Sequence, residues 1–355
     1  MTETDFYVIG GGPAGVAAAY FLSQKGFKVE LFEAKKVLGR KPCGGGVPQE
    51  LNKLLPIPAE SVLREIYGMK LYFEDREIGS WESPSPIFYI IDRTKYLETI
   101  ANDIDVKINR NSPVKINANS FKSVKGYLDP KKVIIATGVS WRFKERDMVA
   151  QTIQYVVSGV KIEAPHLMRF LFYRDIVGYA WIFPLNDNKV EIGIGSLNKD
   201  IEYMESKLHE IMKKHGLNEG YPERREGAPI DMGGLKPEWG GNGPFAVGEA
   251  IGAVMPLTGE GIRPSVLTAS LLAHSIDRGR DYVKTLKNSD LYKATKLQRK
   301  ILEKVFKEKI PIPLEKASLD SKTVELIYKL GMGKIDVKII LHLAKKIPSL
   351  FIGLI

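Results

Sequence analysis

Residues 5–16 read DFYVIGGGPAGV, and residues 28–33 read KVELFE. The apolar run before Gly10 predicts a short β-strand, the glycines predict a tight turn, and the small residues of 16–25 predict a helix. A second, β-rich strand follows at 28–33. The stretch therefore predicts a βαβ unit that opens a doubly wound α/β domain.

The glycine spacing in this unit is typical of a dinucleotide site. Gly10, Gly12 and Gly15 follow the Gly-x-Gly-x-x-Gly pattern, and Glu33 ends the second strand 18 residues after Gly15. Glycines at these places let the backbone approach a pyrophosphate at the helix N-terminus, and the acidic side chain accepts hydrogen bonds from the adenosine ribose. A carboxylate there would repel the extra phosphate of NADP. The alternative is a tight turn that closes an ordinary βαβ unit and binds nothing.

The rest of the chain predicts a second sheet inserted into this domain. Near residue 250 a second glycine segment joins a strand, 245–247, to a helix, 261–277. Between the two glycine segments, β-branched and aromatic residues predict antiparallel strands in 67–91 and 151–197. We predict an α/β fold, α+β overall: a Rossmann-like dinucleotide-binding domain, an inserted antiparallel-sheet substrate domain and a helical C-terminal region. Their predicted limits are 1–66 plus 92–147 plus 240–280, then 67–91 plus 148–239, and finally 281–355.

Three further segments are candidates for contact with a ligand. Residues 40–47 read RKPCGGGV, and three consecutive glycines suit a backbone that lies against a flat ligand. Residues 136–142 (ATGVSWR) follow a predicted buried strand, whose C-terminal end points at the ligand crevice of a doubly wound sheet. Residues 248–250 (GEA) and 256–262 (PLTGEGI) lead into a helix N-terminus, which suits an anion. A flexible surface loop is the alternative for 40–47.

Together these motifs resemble those of the FAD-dependent oxidoreductases with an aromatic-hydroxylase-like fold. The resemblance implies FAD as the cofactor, positioned in part by Arg93, with the last glycine turn facing the flavin. It also implies a Gly-Asp pair near the ribityl and pyrophosphate groups, where this chain has Gly248-Glu249. The predicted cofactor-binding residues are Gly10, Gly12, Ala14, Gly15, Glu33, Arg40, Cys43, Gly44, Gly46, Arg93, Val114, Gly138, Gly248, Glu249, Gly259, Gly261 and Ile262.

Within that class the chain resembles the geranylgeranyl reductase family, over roughly residues 5–275. The resemblance rests on PCGGG at 42–46 and on YAWIFP at 179–184, which fits that family's YxWxFP signature. Tyr179, Trp181 and Phe183 lie on one face of a predicted strand, a pattern more often typical of a core strand than of a ligand pocket. Its combination with the glycine loop favours a slot for a prenyl chain.

The resemblance implies an FAD-dependent oxidoreductase acting on CH–CH groups, which saturates C=C double bonds of a geranylgeranyl or polyprenyl lipid. Cys43 is the candidate for proton delivery or for positioning the alkene, and Tyr179 and Trp181 are expected to line the slot. An external electron donor is implied, either NAD(P)H or a ferredoxin-like carrier. Two alternatives stay open: an FAD-dependent monooxygenase of the hydroxylase or halogenase type, and a prenyl-lipid-binding or electron-transfer flavoprotein.

The positive charge of the chain is concentrated near its end. The net charge is +10, and residues 280–355 carry 17 Lys and Arg against 8 Asp and Glu. Such a region suits anionic lipid headgroups or simply solvates the outer faces of helices. No nucleic-acid-binding motif accompanies it, so we expect no nucleic-acid partner.

The remaining composition indicates a cytoplasmic protein. The single cysteine excludes a disulfide scaffold, and the five histidines lack metal-ligand spacing, so we expect no metal. The acidic opening MTETD lacks the basic start of a secretory signal. We expect a cytoplasmic location. Whether the protein also contacts the inner face of the membrane as a peripheral protein stays open.

Overall fold

The computed structural model describes residues 3–117, 120–241, 243–307 and 318–346. Its strands are β1 Phe6–Ile9, β2 Val29–Phe32, β3 Gly46–Pro48, β4 Val62–Ile66, β5 Gly68–Phe73, β6 Arg76–Glu82, β7 Phe88–Ile91, β8 Lys107–Asn109, β9 Lys115–Asn117, β10 Ser120–Ser123, β11 Gly126–Leu128, β12 Val133–Ile135, β13 Val149–Ser158, β14 Leu167–Phe172, β15 Gly178–Asn186, β16 Lys189–Ser196, β17 Tyr221–Glu226, β18 Ile230–Asp231 and β19 Phe245–Ala246. Its helices are α1 Pro13–Ser23, α2 Arg93–Asn102, α3 Ile201–Lys214, α4 Ile262–Asp277, α5 Tyr282–Asn288, α6 Asp290–Lys307, α7 Ser321–Gly331 and α8 Val337–Lys346.

The opening βαβ unit forms the centre of a parallel sheet. Its strand order is β19-β12-β1-β2-β8, and every pair is parallel, as the sequence predicts for a doubly wound domain. Gly10 turns the chain out of β1 with φ +109, and a Cβ there would lie 2.5 Å from the carbonyl oxygen of Ala136, the residue that follows β12. Only glycine fits such a turn without strain. The buried small residues of α1 let it pack closely against α4, which follows the second glycine segment.

The second sheet is the larger one, with strand order β17-β13-β16-β15-β14-β5-β6. Side chains alternate across it, because successive residues of a strand point to opposite faces. One face, with Ile182 of β15 and Ile192 of β16, packs on α3 in a separate hydrophobic core. The other face carries Tyr179, Trp181 and Phe183 and turns toward the nucleotide-binding domain.

Three features of the sheets differ from the sequence prediction. β7, predicted as part of the second sheet, instead pairs with β3 and β4 in a three-stranded antiparallel sheet, because strand patterns do not report which strands pair. The second sheet is not wholly antiparallel, because β14 and β5 run parallel, with Leu167 opposite Gly68. This pairing joins segments almost a hundred residues apart in the chain, and strand patterns do not report direction. In addition, β8 extends the parallel sheet and β9, β10 and β11 form a small antiparallel sheet, in a region where no strands were predicted. Their three- and four-residue lengths leave too few side chains for a clear period of two.

The C-terminal region is helical in its described part, as predicted. α7 packs against β6, and a further hydrophobic cluster joins α6, α7 and α8. Proline interrupts helices, so the sequence also predicts helix breaks at Pro311, Pro313 and Pro348; these positions and the apolar end 348–355 lie outside the described residues. Within the described part of the chain, no helix has the length and apolar character needed to cross a membrane.

Candidate functional site

A large cleft lies between the parallel sheet and the second sheet. Its volume is about 1090 Å³, at the upper end of the roughly 300–1,000 Å³ typical of ligand pockets. All four sequence motifs open onto it, from the first glycine turn to the PLTGEGI segment. The cleft is therefore large even for a site that binds a dinucleotide, and its lining extends from the glycine motifs to the aromatic residues of β15.

One end of the cleft has the backbone geometry expected of an anion site. α1 begins there, its N-cap is Gly12 with no capping side chain, and a Cβ on Gly12 would meet nothing within 4 Å. An uncapped helix N-terminus presents free N–H groups and the positive end of the helix dipole. Gly12 thus leaves open the space that a pyrophosphate needs.

Glu33 lies at the same end of the cleft, where an adenosine ribose is expected. Its carboxylate accepts hydrogen bonds from the backbone N–H of Gly11 (2.6 Å) and of Lys35 (2.8 Å), which fix its position. Each carboxylate oxygen has a further lone pair for a ribose hydroxyl. These residues fit the ADP half of FAD.

Two of the predicted cofactor residues lie behind the cleft wall rather than on it. A Cβ on Gly15 would overlap the carbonyl oxygen of Gly10, and one on Gly248 would overlap the Cβ of Ala14. Both glycines therefore act first by allowing close packing beneath the site. The other predicted residues line the cleft: Gly10, Gly12, Ala14, Glu33, Arg40, Cys43, Gly44, Gly46, Arg93, Val114, Gly138, Glu249, Gly259, Gly261, Ile262, Tyr179 and Trp181.

The loop at 39–46 is held in place by Arg93 and Glu249. Arg93, the first residue of α2, donates to the carbonyl oxygens of Gly39 (Nε, 2.9 Å) and Lys41. Glu249 forms an ion pair with Lys41 (2.7 Å) across the cleft. Arg93 therefore positions the loop that carries Cys43, in addition to lining the cleft.

A buried ion pair between Arg146 and Asp231 joins the segments beneath the cleft, and the sequence motifs do not predict it. Both side chains are fully buried, and Arg146 also donates to the carbonyl oxygens of Trp141 (2.9 Å), Glu249 (3.0 Å) and Ala250 (3.1 Å). A buried guanidinium needs such a full set of acceptors. It therefore fixes the ATGVSWR segment against the second glycine segment.

The other end of the cleft is an aromatic slot formed by Tyr179, Trp181, Phe183 and Phe170, with ring centroids 5.6–6.3 Å apart. The side chains of Trp181 and Phe183 also pack into a hydrophobic cluster with Met168. The same face of β15 therefore both packs into a hydrophobic cluster and lines the cleft, and the slot for a prenyl chain stays a prediction. The Tyr179 hydroxyl donates to the carbonyl oxygen of Thr258, and burial raises the pKa of Tyr179.

Cys43 lies on the cleft wall between the two ends. It is half-buried, and its Sγ accepts a weak hydrogen bond from the N–H of Gly45 (3.4 Å). A Cβ on Gly44 would lie 2.9 Å from the ring of Phe183, so the glycine loop rests directly on the aromatic slot.

Two contributions to this slot are missing from the sequence prediction. Glu191 lies buried behind Trp181, and α6, α7 and α8 line the far end of the cleft, where Tyr328 stacks near Trp81 with centroids 5.2 Å apart. The sequence does contain a signal for Glu191. Residues 190–195 (VEIGIG) alternate between Val or Ile and Glu or Gly. Glycines at alternate positions of a strand indicate a close approach on one face.

Comparison with known proteins gives two family matches. Residues 4–159 match the pyridine nucleotide-disulphide oxidoreductase family, and residues 148–234 match the geranylgeranyl reductase catalytic domain. A digeranylgeranylglycerophospholipid reductase 2 from Methanosphaera stadtmanae is 28% identical over 327 residues, covering 80% of this chain and 81% of that protein.

Solved structures share the fold. A geranylgeranyl bacteriochlorophyll reductase-like protein from Thermoplasma acidophilum has a TM-score of 0.78 at 20% identity, covering 99% of this chain and 98% of that one. A triple mutant of the flavin-dependent brominase Bmp2 has a TM-score of 0.72 at 14% identity, covering 94% and 96%. The expected fold class and FAD as the cofactor are confirmed. Within the described residues, no group of His, Cys, Asp and Glu is arranged to hold a metal ion.

Proposed function

The chain is a member of the geranylgeranyl reductase family of FAD-dependent oxidoreductases, and on that premise we propose that it saturates C=C double bonds of a geranylgeranyl or longer polyprenyl lipid. The observation that carries the proposal is the cleft itself. Its dinucleotide end and its aromatic slot are continuous, and the CGGG loop lies where they meet. An archaeal-type isoprenoid ether lipid is the substrate class we favour.

The residues at the dinucleotide end would hold FAD, and the reduced flavin would supply a hydride to one alkene carbon; placement of the alkene, exclusion of water and the proton for the other carbon then fall to the protein's own residues. An isolated alkene is a poor hydride acceptor, so the site must hold the reacting carbons in place and exclude water. The aromatic wall of Trp181, Phe183 and Phe170 does both through apolar contact. We assign the proton for the other carbon to Cys43 rather than to Tyr179. The Tyr179 hydroxyl already donates to Thr258, and burial disfavours its ionised form.

The test is single turnover without oxygen. Dithionite-reduced protein is mixed with prenyl lipids, and the products are examined by mass spectrometry for additions of two hydrogens. We expect such products together with reoxidation of the flavin. Flavin that stays reduced with every prenyl lipid would contradict the proposal and favour a binding or electron-transfer protein. Rapid oxygen-dependent consumption of NAD(P)H without lipid reduction would favour a monooxygenase.

Two variants separate the residue roles. Trp181→Ala should keep FAD content and lower lipid turnover, since the lost contact is with the substrate. Cys43→Ala should slow flavin reoxidation by lipid at least tenfold, because general acid catalysis typically contributes ~10²–10⁴-fold. Reoxidation of the Cys43→Ala protein at the unaltered rate would leave Cys43 as a packing residue.

For the partners, we propose an anionic lipid surface that α8 contacts. Val337 and Leu341 are exposed on this helix beside Lys338 and Lys345, while Leu343 on its inner side lines the cleft. An amphipathic helix with basic residues binds anionic bilayers, and the attraction is screened by salt. The electron donor, NAD(P)H or a ferredoxin-like protein, stays a prediction.

Vesicle co-sedimentation tests this contact. Binding to vesicles with anionic lipid should exceed binding to neutral ones and weaken with salt, and Lys338→Glu should reduce it. Lys122→Glu, which makes the same charge change on the small β9–β11 sheet, is the control. Equal partitioning onto both kinds of vesicle would leave the lysines as a solvated helical surface.

A further inference from the structure

Glu191 is a buried acid on the cleft-facing side of the second sheet. On β16 the side chains of Val190, Ile192 and Ile194 enter the core against α3, so Glu191 faces the opposite way, toward the slot. Its exposed fraction is 3%. Burying a carboxyl group costs folding free energy unless it is hydrogen-bonded, so its contacts at this place need to be examined.

Its carboxyl contacts both walls of the slot. The indole N–H of Trp181 donates to Oε1 (3.2 Å), and the side-chain amide of Gln154 donates to Oε2 (3.1 Å). On the other side, a Cβ on Gly44 would lie 3.2 Å from the same Oε1. The carboxyl therefore lies between the ring of Trp181 and the CGGG loop. Glu191 contacts residues that line the cleft but is not itself part of the lining.

The surroundings favour a neutral carboxylic acid. Among the described residues, no Lys, Arg or His nitrogen lies within 4 Å of Glu191, and its two hydrogen-bond donors are uncharged. Burial raises the pKa of Glu191 to about 8. The hydrogen bond from Trp181 opposes this rise and lowers the pKa, as do the more distant Arg224 and Arg93, whereas Glu226 raises it.

We propose that Glu191 is a positioning residue, whose carboxyl fixes the indole of Trp181 relative to Gly44 and so sets the width of the prenyl slot. The inference rests on the proposed function for the identity of the ligand, but not for the contacts themselves. Ionisation would place an uncompensated charge between the two walls and would strengthen the bond from the indole N–H, so that the ring of Trp181 would shift from its place relative to Gly44. The slot should therefore bind its substrate well below about pH 8 and lose affinity above it.

The first experiment needs no lipid. In wild-type protein loaded with FAD, the infrared carbonyl band of a protonated carboxylic acid should disappear as the pH rises through about 8, and Trp181 fluorescence should change with the same midpoint. Glu191→Gln should remove this band, and both Glu191→Gln and Trp181→Phe should remove the fluorescence transition. Glu30→Gln, which alters another buried glutamate remote from the slot, should leave both signals. Loss of the band or of the transition in the Glu30 variant would overturn the assignment.

The second experiment measures turnover. Glu191→Gln keeps a neutral acceptor for Trp181. Below pH 8 its KM for the prenyl lipid should therefore stay within about twofold of the wild-type value, and above pH 8 its KM should no longer increase. Glu191→Leu should raise KM at least tenfold with a smaller change in kcat. The pH profile is also recorded for Cys43→Ala, because that thiol lies on the same loop as Gly44. An alkaline rise in KM that persists in Glu191→Gln, or an unchanged KM in a folded Glu191→Leu protein, would refute the positioning role. Absence of lipid turnover in every variant would instead refute the proposed function and leave the spectroscopic result standing.

Discussion

Gly12→Val should greatly weaken FAD binding while leaving the fold intact. Gly12 has φ −80 and ψ −176, an extended conformation open to any residue, and a Cβ there would meet nothing within 4 Å. Valine is a poorer N-cap than glycine, a cost of about 1 kcal/mol that corresponds to a few degrees in Tm. The protein should therefore fold.

The loss of FAD affinity can be worked from the first turn of α1. Pro13 has no N–H, and the N–H of Val16 is bonded to the carbonyl oxygen of Gly12 (3.0 Å). The donors on the cleft that are left for a pyrophosphate are the N–H groups of Gly12 and Ala14, and a valine side chain at position 12 would block the approach to both. Two hydrogen bonds to a charged group contribute about 3–6 kcal/mol, so their loss should weaken FAD binding by ~10²–10⁴-fold.

The assay compares two substitutions in one turn. FAD content is measured from the visible flavin absorbance, and thermal unfolding is measured without FAD. Gly15→Ala is the matched variant: its Cβ would overlap the carbonyl oxygen of Gly10, so it should unfold at a much lower temperature. Full FAD occupancy in Gly12→Val, or equal destabilisation by the two substitutions, would refute the reasoning.

Three further predictions concern the slot. Tyr179→Phe should lower the free energy of unfolding by about 1 kcal/mol through the lost bond to Thr258, and should change the flavin reoxidation rate only a few-fold; a loss of ~10² would make Tyr179 the proton donor. Gly44→Ala should keep FAD but raise KM for lipid, because its Cβ would lie 2.9 Å from Phe183; an unchanged KM would argue against a loop resting on the slot. The folded-state pKa of Glu191, about 8, exceeds its ordinary 4.5, so the free energy of unfolding should fall as pH rises between these values, by on the order of 1 kcal/mol per unit. Chemical denaturation at pH 5 and 8 should show this fall in wild type and a smaller one in Glu191→Gln.

The dinucleotide end was predictable because its signals are local. Gly10, Gly12 and Gly15 are fixed by one turn, and the strands on either side show clear apolar runs, so sequence spacing and structure correspond closely. The aromatic face of β15 was predictable for the same reason, from the period of two. The parallel pairing of β14 with β5 was not, because it depends on which distant segments meet.

Glu191 shows a different limit. The alternation in 189–195 indicates that Glu191 and Gly193 lie on the same face of the strand. It does not indicate which face of the sheet lines the cleft. An exposed glutamate would give the same pattern on an antiparallel sheet with one solvated face. Only the packing of α3 against the other face, together with the position of Trp181, turns this glutamate inward.

Glu249 stands where the resemblance implies an aspartate, and its two hydrogen-bond partners explain the longer side chain. Glu249 reaches Lys41 Nζ at 2.7 Å with one carboxylate oxygen and accepts from the N–H of Asp231 at 3.3 Å with the other. An aspartate is one methylene shorter and could not span both partners from this backbone position. The longer side chain thus connects the CGGG loop to the segment that Arg146 anchors through Asp231. Because the loop at 40–46 has no other ion pair to the cleft floor among the described residues, Glu249 couples the placement of Cys43 to the floor of the cofactor site.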